Sequence, residues 1–568
     1  MCGILWYDLL AGAGMADAGM AGADAGCIAE LTEKALAGFQ RLQHRGPDHS
    51  GHVVVGDRHF MGAHRLAISG LGEKGDQPLR LLGQTVDGEY VAGDAMVCNG
   101  QIYNCAELAD LLDVEIYTDV DVVLDACGML GSEAAVLPTI DSIARALDGD
   151  FAFVVVRDTT VYIARDPVGV RPLFYGADAA GTLVCAASEV KAIRDLPGVA
   201  ECRVFPPGHV YDSASKSLRS YTDLYDISAD PDGFSKSSYD AAGAELRRLL
   251  TAAVKKRIEC SDRPVAFLCS GGIDSSIILS IAYDLMPHDQ IHVFSIQYDN
   301  PRCPRSDDAL FAGLLAAQFG VRHTAVHFAW ADVAACAETV AKHIETYDPN
   351  TIRAAVPMYL LAKHIRENTD YKVILSGEGA DELFMGYNTF LDAPDAAAAA
   401  AESVRLVRNI HMFDALRADR CFNAHGLELR VPFLDTAFAR AALRVDGALR
   451  MSSRTSGARI EKALLRDAFS DCPRLRAARI LDRGKERFSD GCGSAYVPDL
   501  LNHWSSTSSG SASEISYTLE QKTTYERAAY RLWFNEEYPG LEHLIITREN
   551  PAWCAAAAQN AAQSLLGM

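Results

Sequence analysis

The sequence has no apolar run of the roughly 18–20 residues that a membrane-spanning helix needs. Its start, Met1–Asp8, lacks the basic segment and the long apolar core of a secretory signal peptide. Basic residues are in deficit, because 53 lysines and arginines against 75 aspartates and glutamates leave a net charge of −22. A nucleic-acid partner usually requires a basic surface. We therefore expect a cytoplasmic protein with neither a membrane nor a nucleic acid among its partners.

Zinc-binding patterns are missing as well. The 15 cysteines form no CxxC pair and no His/Cys cluster at zinc spacing. In a chain that we expect to be intracellular, nearly all of them are predicted to be reduced, small core residues.

Length and hydrophobic pattern predict two domains. A chain of 568 residues exceeds the roughly 250–300 that one core supports. Short β-type runs with interspersed helical patterns predict an α+β sandwich at the start. Later, long helices alternate with short apolar strands, which predicts an α/β domain with a parallel sheet. The predicted divisions are a first domain at 2–222, a polar linker at 223–238, a second domain at 239–550 and a flexible tail at 551–568.

Low-complexity composition predicts three loose segments, namely Ala11–Gly26, Ser505–Ser513 and the chain after Trp553. The alanine run 396–401 favours a helix instead, because alanine is the best helix former.

The most informative segment is Val265–Ser276. Its apolar, strand-like start gives way to the string SGGIDSS, and an apolar-periodic stretch follows at Ile277–Leu285. Glycines let the backbone approach an anion, and the amides that begin a helix favour phosphate. No Lys-Ser/Thr pair follows the glycines, which excludes a Walker A loop. The string matches SGGxDS, the pyrophosphate loop of enzymes that split ATP into AMP and pyrophosphate; an ordinary glycine-containing turn is the less favoured alternative.

Two polar loops follow predicted strands of the second domain. Ser270–Ser276 comes after Val265–Leu268, and Ser376–Glu382 comes after Val373–Leu375. Ligands of parallel α/β sheets bind at the carboxyl ends of the strands, so we expect both loops at one site.

A second chemical signal lies at the N-terminus. If Met1 is removed, Cys2 carries a thiol and a free α-amine on the same carbon, and an amine that titrates near about 7.7–8.0 can serve as the local base of the thiol. A cysteine at position two is weak support by itself. It is strengthened by Arg45–Asp48, His64–Ile68, Asn99–Asn104 and Asp119.

Over nearly its whole length the chain resembles the glutamine-dependent asparagine synthetases. The resemblance implies an Ntn-hydrolase-type α+β sandwich, the class II glutamine amidotransferase domain, followed by a PP-loop ATP pyrophosphatase domain that is similar to the adenine nucleotide alpha hydrolases. It implies synthesis of L-asparagine from L-aspartate through β-aspartyl-AMP, with ammonia from L-glutamine, ATP as co-substrate and Mg²⁺. A homodimer is common in this family.

The resemblance assigns the glutaminase residues. Cys2 is the expected nucleophile, and the Asn99 side chain and the Gly100 amide resemble an oxyanion hole. Arg65 would clamp the α-carboxylate of glutamine, a task that suits a planar guanidinium, and Asp119 would hold its α-ammonium group. The expected glutamine-binding set is Arg65, Leu66, Ala67, Ile68, Ser69, Asn99, Gly100, Gln101 and Asp119.

The resemblance also assigns the synthetase residues. Asp274 and Asp381 are the expected Mg²⁺ ligands, because this ion prefers oxygen. Lys485 would neutralise the departing pyrophosphate, and Glu378 would act as general base for the attack by ammonia. The expected ATP-binding residues are Leu268, Ser270, Gly271, Gly272, Asp274, Ser275, Ile296, Ser376 and Gly377.

Recognition of aspartate is assigned by hypothesis. Arg353 would bind the α-carboxylate, with Glu345 and Asp348 as partners of the substrate amine or of Arg353. A structural ion-pair cluster is favoured almost equally for these three residues.

Several positions depart from the family pattern. Gln101 stands where glutamate is usual, Ala380 replaces a serine and Met385 a glycine, and Arg417–Arg420 reads RADR where RANK is common. None of these changes removes a catalytic group.

Two other functions compete with this interpretation. One is a related amidotransferase or a β-lactam-type synthetase that acts on a different carboxylic acid; the retained Cys2 argues against the lactam branch. The other is a catalytically retired homologue that serves as a nitrogen sensor or scaffold. The retention of Asp274, Glu378, Asp381 and Lys485 argues against that second alternative.

Overall fold

The computed structural model describes residues 1–14, 25–80, 94–132, 135–228, 234–301, 307–451, 460–486, 488–508, 518–551 and 553–554, with backbone alone at 85–86, 89–90, 234 and 505–508. The predicted loose segments fall largely outside these residues. Their described ends, however, are helical. Residues 11–12 and 25–26 lie in helices, and so do 505–508, contrary to expectation.

The described chain divides into two compact units. Unit 1 comprises Met1–Asp223 with two short later segments, Cys260–Arg263 and Phe422–Glu428. Unit 2 comprises the remainder, starting at Leu224. The predicted domains are continuous in sequence, so they do not include the two short segments that unit 1 takes from the second half of the chain.

Unit 1 contains two six-stranded sheets whose neighbouring strands are all antiparallel. Their orders are β12-β10-β11-β1-β3-β2 and β14-β13-β9-β8-β7-β4. The strands are β1 Gly3–Asp8, β2 His49–Val55, β3 His59–Arg65, β4 Leu79–Arg80, β5 Thr85–Val86, β6 Glu89–Tyr90, β7 Ala95–Ile102, β8 Gly149–Arg157, β9 Thr160–Arg165, β10 Phe174–Ala177, β11 Leu183–Ala187, β12 Glu201–Val204, β13 His209–Asp212 and β14 Ser217–Ser220; β5 and β6 form a separate pair.

The period-2 alternation of β8 explains the layers of unit 1. Ala152 and Val154 belong to a core shared with Ile4 and Trp6 of the other sheet. Phe151 and Phe153 belong to a core on the opposite face, with side chains of α3, α4 and α5. The sheets therefore pack face to face with helices outside them, which confirms the predicted Ntn-type α+β sandwich. Its helices are α1 Leu9–Gly12, α2 Ala25–Gln40, α3 Cys105–Leu112, α4 Asp121–Gly128 and α5 Ile140–Ala146.

Unit 2 is built on a five-stranded sheet of order β17-β16-β15-β18-β19, in which β17, β16, β15 and β18 pair in parallel. This confirms the predicted α/β domain. The strands are β15 Val265–Leu268, β16 His292–Tyr298, β17 Arg322–Phe328, β18 Val373–Leu375 and β19 Glu428–Arg430. The helices are α6 Tyr239–Glu259, α7 Ile273–Leu285, α8 Asp307–Phe319, α9 Trp330–His343, α10 Pro349–Asn368, α11 Ala380–Leu383, α12 Ala396–Asn409, α13 Asp414–Asn423, α14 Thr436–Arg444, α15 Gly447–Arg450, α16 Ala463–Ala468, α17 Pro473–Ala477, α18 Phe488–Gly491, α19 Tyr496–Ser508 and α20 Leu519–Glu537.

The pairing of β15 with β18 positions the site of unit 2. Because the two strands are parallel and adjacent, their carboxyl ends meet at the same edge of the sheet. The loops that follow, Ser270–Ser276 and Ser376–Glu382, therefore lie side by side. Among the described helices, none is long and apolar enough to span a membrane.

We predict that Phe153→Ala weakens unit 1 strongly. Phe153 is fully buried on β8, opposite Cys98 and Ala164. Its truncation should lower the free energy of unfolding by about 3–5 kcal/mol, because the loss of buried apolar surface and the cavity that remains both destabilise the fold. Hydrogen exchange of the β7–β9 amides measures this. Leu218→Ala, at a side chain that is 38% exposed, is the control; equal protection in both variants would contradict the prediction.

Candidate active sites

Cys2 lies at the entrance to β1, in the interior of unit 1. It is 7% exposed. Its backbone nitrogen donates to Asn99 Oδ1 at 2.9 Å, and its carbonyl accepts from Arg45 Nε at 3.1 Å. The Arg45 guanidinium is fully buried and pairs with Glu189 at 2.7 Å. Two different elements thus fix the backbone on either side of the thiol.

Asn99 and Gly100 lie on β7 beside Cys2. Asn99 Oδ1 accepts the hydrogen bond from the Cys2 nitrogen, whereas its buried Nδ2 has no hydrogen-bond partner among the described residues. A buried donor without a partner is costly unless a ligand uses it. A Cβ on Gly100 would come within 2.6 Å of the Asp150 carbonyl, so the backbone here admits only glycine. Asn99 therefore has an unused buried donor of the kind that an oxyanion hole requires.

The Arg65 guanidinium is bound to its own loop. It donates to the carbonyls of Ser69 and Gly72 at 3.0 Å each and to Asp76 Oδ1 at 2.9 Å, and it also contacts the Gly70 carbonyl. The predicted clamp for a carboxylate is thus engaged in holding residues 69–76.

The other predicted glutamine residues surround this loop. Leu66, Ala67 and Ile68 are buried, and the Ala67 amide donates to Asp48 Oδ2 at 2.8 Å. Asp119 Oδ2 accepts from the Ile102 amide at 2.8 Å. Gln101 is also buried. Leu66, Ala67 and Ile68 directly follow β3, whereas Gln101 and the contact of Asp119 lie at the end of β7.

Met1 is present and buried next to Cys2. Its α-ammonium group lies 3.0 Å from Glu428, whose other oxygen is 3.6 Å from Arg171. With Met1 in place, the nitrogen of Cys2 belongs to a peptide bond. The single-residue nucleophile and base predicted at Cys2 therefore requires the removal of Met1.

The glycine-rich loop of unit 2 has the shape expected of an anion cradle. Gly271 has φ +67°, and a Cβ there would come within 2.4 Å of Phe311. Ser270 Oγ accepts from the Gly272 amide at 3.2 Å, and Ser275 Oγ accepts from the Ser270 amide at 3.3 Å. α7 starts at Ile273, so its first amides face this loop.

The loop after β18 packs directly on the glycine-rich loop. A Cβ on Gly377 would be 2.9 Å from both Asp274 Cβ and the Ser275 nitrogen, so this approach requires glycine. Three further residues of the expected ATP-binding set lie nearby in the sheet: Leu268 ends β15, Ser376 follows β18, and Ile296 lies in β16 two residues before its end.

Two lysines neutralise the predicted metal ligands. Lys462 Nζ lies 2.5 Å from Asp274 Oδ2 and 2.7 Å from Asp381 Oδ1, and Lys485 Nζ lies 2.6 Å from Asp381 Oδ2. Burial would raise the pKa of Asp381, but the two lysines outweigh it and lower that pKa to about 2. For Asp274, burial prevails over Lys462 and raises the pKa.

The donor set fits Mg²⁺. Asp274 Oδ1 is buried and has no hydrogen-bond partner among the described residues. Two carboxylates on adjacent strand ends, one with an unused oxygen, match the ligand preference of this ion, which takes one or two carboxylates and completes its shell with water and phosphate.

Glu378 is held by an arginine. Its Oε1 accepts from Arg417 Nη2 at 2.7 Å, and Arg417 Nη1 donates to Asp414 at 2.5 Å. Burial raises the pKa of Glu378 despite the opposing effect of Arg417.

The three residues that are hypothesised to bind the substrate aspartate are engaged in contacts within the protein. Arg353 forms a two-pronged ion pair with the buried Glu526 of α20. Glu345 is paired with Arg420 at 2.8 Å, and Asp348 caps α10 by accepting from the Thr351 amide at 2.8 Å. These contacts correspond to the structural alternative considered for this cluster.

Sequence reasoning missed Lys462 and the role of Arg417. Lys462 precedes a short helix in the string IEKALLR, which has no glycine or strand to mark it. Arg417 is marked in the sequence only by a departure from the family string. The signal for both residues is that buried charges are paired, so each buried carboxylate requires a cationic partner.

A thiol beside an amide donor and a glycine-rich loop beside two carboxylates define a two-site enzyme of the amidotransferase–synthetase class. Family models agree, because residues 18–204 match the glutamine amidotransferase domain and residues 245–408 and 391–530 match asparagine synthase. A probable glutamine-hydrolysing asparagine synthetase of Dictyostelium discoideum is 34% identical over 93% of this chain and 94% of its own length. The corresponding figures are 35%, 88% and 83% for asparagine synthetase 3 of Arabidopsis thaliana, and 33%, 89% and 91% for asparagine synthetase 1 of Saccharomyces cerevisiae.

The chain belongs to the family of glutamine-hydrolysing asparagine synthetases. Among solved structures, a glutamine phosphoribosylpyrophosphate amidotransferase from B. subtilis is 19% identical over 50% of this chain and 63% of that one, with a TM-score of only 0.29.

We predict that Lys462→Met destabilises unit 2. The substitution removes the cation that bridges Asp274 and Asp381, and breaking a buried pair costs about 3–5 kcal/mol. Urea denaturation measures the loss in the free energy of unfolding, and hydrogen exchange of the β15 and β18 amides shows where it occurs. Lys363→Met is the control, because that side chain is 51% exposed and pairs only along its helix. Equal unfolding midpoints in the two variants would refute the bridging role.

Proposed function

We propose that this protein makes L-asparagine from L-aspartate, L-glutamine and ATP, and releases AMP, pyrophosphate and L-glutamate. The observation that carries the proposal is the adjacency of two loops, since Gly377 packs on Asp274 and so puts Glu378 next to the glycine-rich loop. An adenylate formed over that loop lies within reach of a base for the next step. A cytoplasmic homodimer belongs to the same proposal, on the strength of the family resemblance.

The first half of the reaction takes place in unit 1. After removal of Met1, the α-amine of Cys2 accepts the thiol proton, and sulfur attacks the side-chain amide carbon of glutamine. Asn99 Nδ2 and the Gly100 amide stabilise the oxyanion; collapse expels ammonia and leaves a glutamyl thioester that water hydrolyses. Arg65 acts here through the loop 69–76 that it holds, and Asp119 takes the α-ammonium group of the substrate.

The second half takes place in unit 2. A β-carboxylate oxygen of aspartate attacks the α-phosphorus of ATP, and pyrophosphate leaves toward the amides of Ser270–Ser276 and the ammonium group of Lys485. Ammonia then attacks the β-carbonyl carbon. Glu378 removes a proton from the attacking nitrogen, and the C–O bond to AMP breaks.

Mg²⁺ would be held by Asp274 and Asp381 and would screen the phosphate charge from the incoming carboxylate. Aspartate recognition by Arg353, with Glu345 and Asp348 as its partners, would require Arg353 to release Glu526.

An aspartate-dependent pyrophosphate assay tests the whole proposal. Incubation with ATP, Mg²⁺ and a panel of carboxylic acids should give AMP and pyrophosphate with L-aspartate. Product formation only with another acid would identify a related amidotransferase, and the proposed substrate would be wrong.

Cys2→Ala should separate the two sites. The variant loses the sulfur nucleophile, so asparagine formation from glutamine should be abolished, whereas formation from added ammonium should persist because unit 2 is unchanged. Both rates can be followed as asparagine by chromatography. The loss of both activities would contradict the two-site mechanism.

Asn99→Ala should lower glutaminase kcat by about 10²–10³-fold, the typical effect of deleting one oxyanion donor. Glutamate release measures the effect. The matched control is Asn104→Ala, because Asn104 lies on the same segment and bonds only the Ala146 and Asp148 backbone. A similar loss in both variants would indicate a disturbed strand instead of a missing donor.

A further inference from the structure

The chain beyond α20 returns to the core of unit 2. Arg405 Nη2 donates to the Glu549 carbonyl at 3.1 Å, and the Trp553 indole donates to a main-chain carbonyl at 2.9 Å. Directly before these two anchors, the Arg548 amide donates to Asp348 at 3.4 Å. The segment therefore delivers the Arg548 side chain, only 22% exposed, to a defined position.

Arg548 begins a line of ion pairs that ends at Glu378. Its Nη2 contacts Asp414 Oδ2, and the other oxygen of Asp414 accepts from Arg417 Nη1 at 2.5 Å. Arg417 Nη2 then donates to Glu378 Oε1 at 2.7 Å. Each guanidinium contributes one nitrogen to Asp414, so Arg417 keeps its second nitrogen for Glu378.

Arg548 affects how the two nitrogens of Arg417 are shared between Asp414 and Glu378, because several carboxyl groups lie around few guanidinium groups. Glu378, Glu382 and Asp414 face two guanidinium groups, and Arg548 lies 3.7 Å from Glu382 as well. The Arg548 guanidinium also lies over the ring of Phe413, 5.0 Å from its centroid, which leaves it few alternative positions. Without Arg548, Arg417 would be the one guanidinium among the described residues that hydrogen-bonds both Asp414 and Glu378. A planar fork can take a single carboxylate with both nitrogens, so Asp414 would compete with Glu378 for it.

We propose that Arg548 is a positioning residue for the amidation step, acting through Asp414 and Arg417 on the Glu378 carboxylate. The inference rests on the proposed function, in which Glu378 is the base for ammonia attack. In the proposed function, adenylation uses the glycine-rich loop and the Asp274 and Asp381 carboxylates, and Glu378 acts only when ammonia attacks. The effect of Arg548 should therefore be confined to the second chemical step.

The test compares the two steps in full-length Arg548→Gln. Adenylation is measured as aspartate-dependent exchange of labelled pyrophosphate into ATP, and amidation as asparagine formed from added ammonium, which bypasses unit 1. We expect exchange within about two-fold of wild type. The kcat for amidation should fall at least about ten-fold, short of the roughly 10²–10⁴-fold that loss of a general base gives. Arg548→Lys keeps a charge beside Asp414 and should recover part of the loss.

Arg405→Met is the matched control. It removes an anchor of the same C-terminal segment at the Glu549 carbonyl and leaves the charges around Asp414 in place. Because the Trp553 indole and the Arg548 amide still hold the segment, both steps should stay within about two-fold of wild type in this variant. Millimolar guanidinium added to Arg548→Ala supplies a second measurement, since a free cation in the vacated position should restore amidation without changing exchange.

Three results would overturn the inference. Unchanged amidation in Arg548→Gln would show that Glu378 does not depend on Arg548, and equal losses in exchange and amidation without guanidinium rescue would indicate a purely structural role. The third result is a wild-type protein that forms no pyrophosphate with aspartate, which would refute the proposed function itself and the inference with it.

Discussion

The site of unit 2 depends on a buried ammonium group placed between two carboxylates. Asp274 and Asp381 come from loops after neighbouring strands, and Lys462 contacts both within 2.7 Å. Two ionised carboxylates that are close enough to share one ammonium group would repel each other strongly without it, because the dielectric constant of the protein interior is low. The lysine makes it possible for the two loops to pack as closely as Gly377 and Asp274 do. Any metal ion or phosphate that enters must share these oxygens and lysines, so binding there is a redistribution of existing ion pairs.

The local sequence pattern was sufficient to predict the strands that position the loops of unit 2. Val265–Leu268 and Val373–Leu375 were bounded correctly because apolar runs that end at glycine or serine leave little choice, and parallel pairing then placed their loops together. The apolar pattern from Tyr90 to Cys98 predicts one strand, but β7 starts only at Ala95 and Tyr90 belongs to a separate pair.

Contacts between distant parts of the chain could not be predicted in the same way. Asn99 and Cys2 are 97 positions apart, and they meet because β1 and β7 lie in sheets that face each other. Arg353 was plausible as a carboxylate ligand from its neighbours in sequence, yet its partner Glu526 lies 173 positions away. Residue type states what a side chain can bind; only the assembled sheet and helices determine which group it meets.

The segment Phe422–Glu428 has a consequence for the order of synthesis. It belongs to unit 1, where Glu428 lies beside Met1 and Arg171, although the long segment of that unit ends at Asp223. At about 5–20 residues per second, a ribosome needs roughly 10–40 s to travel from one point to the other. During that interval the nascent amidotransferase unit carries a buried arginine without the carboxylate that later neutralises it. Completion of the first unit therefore waits for most of the second to be made.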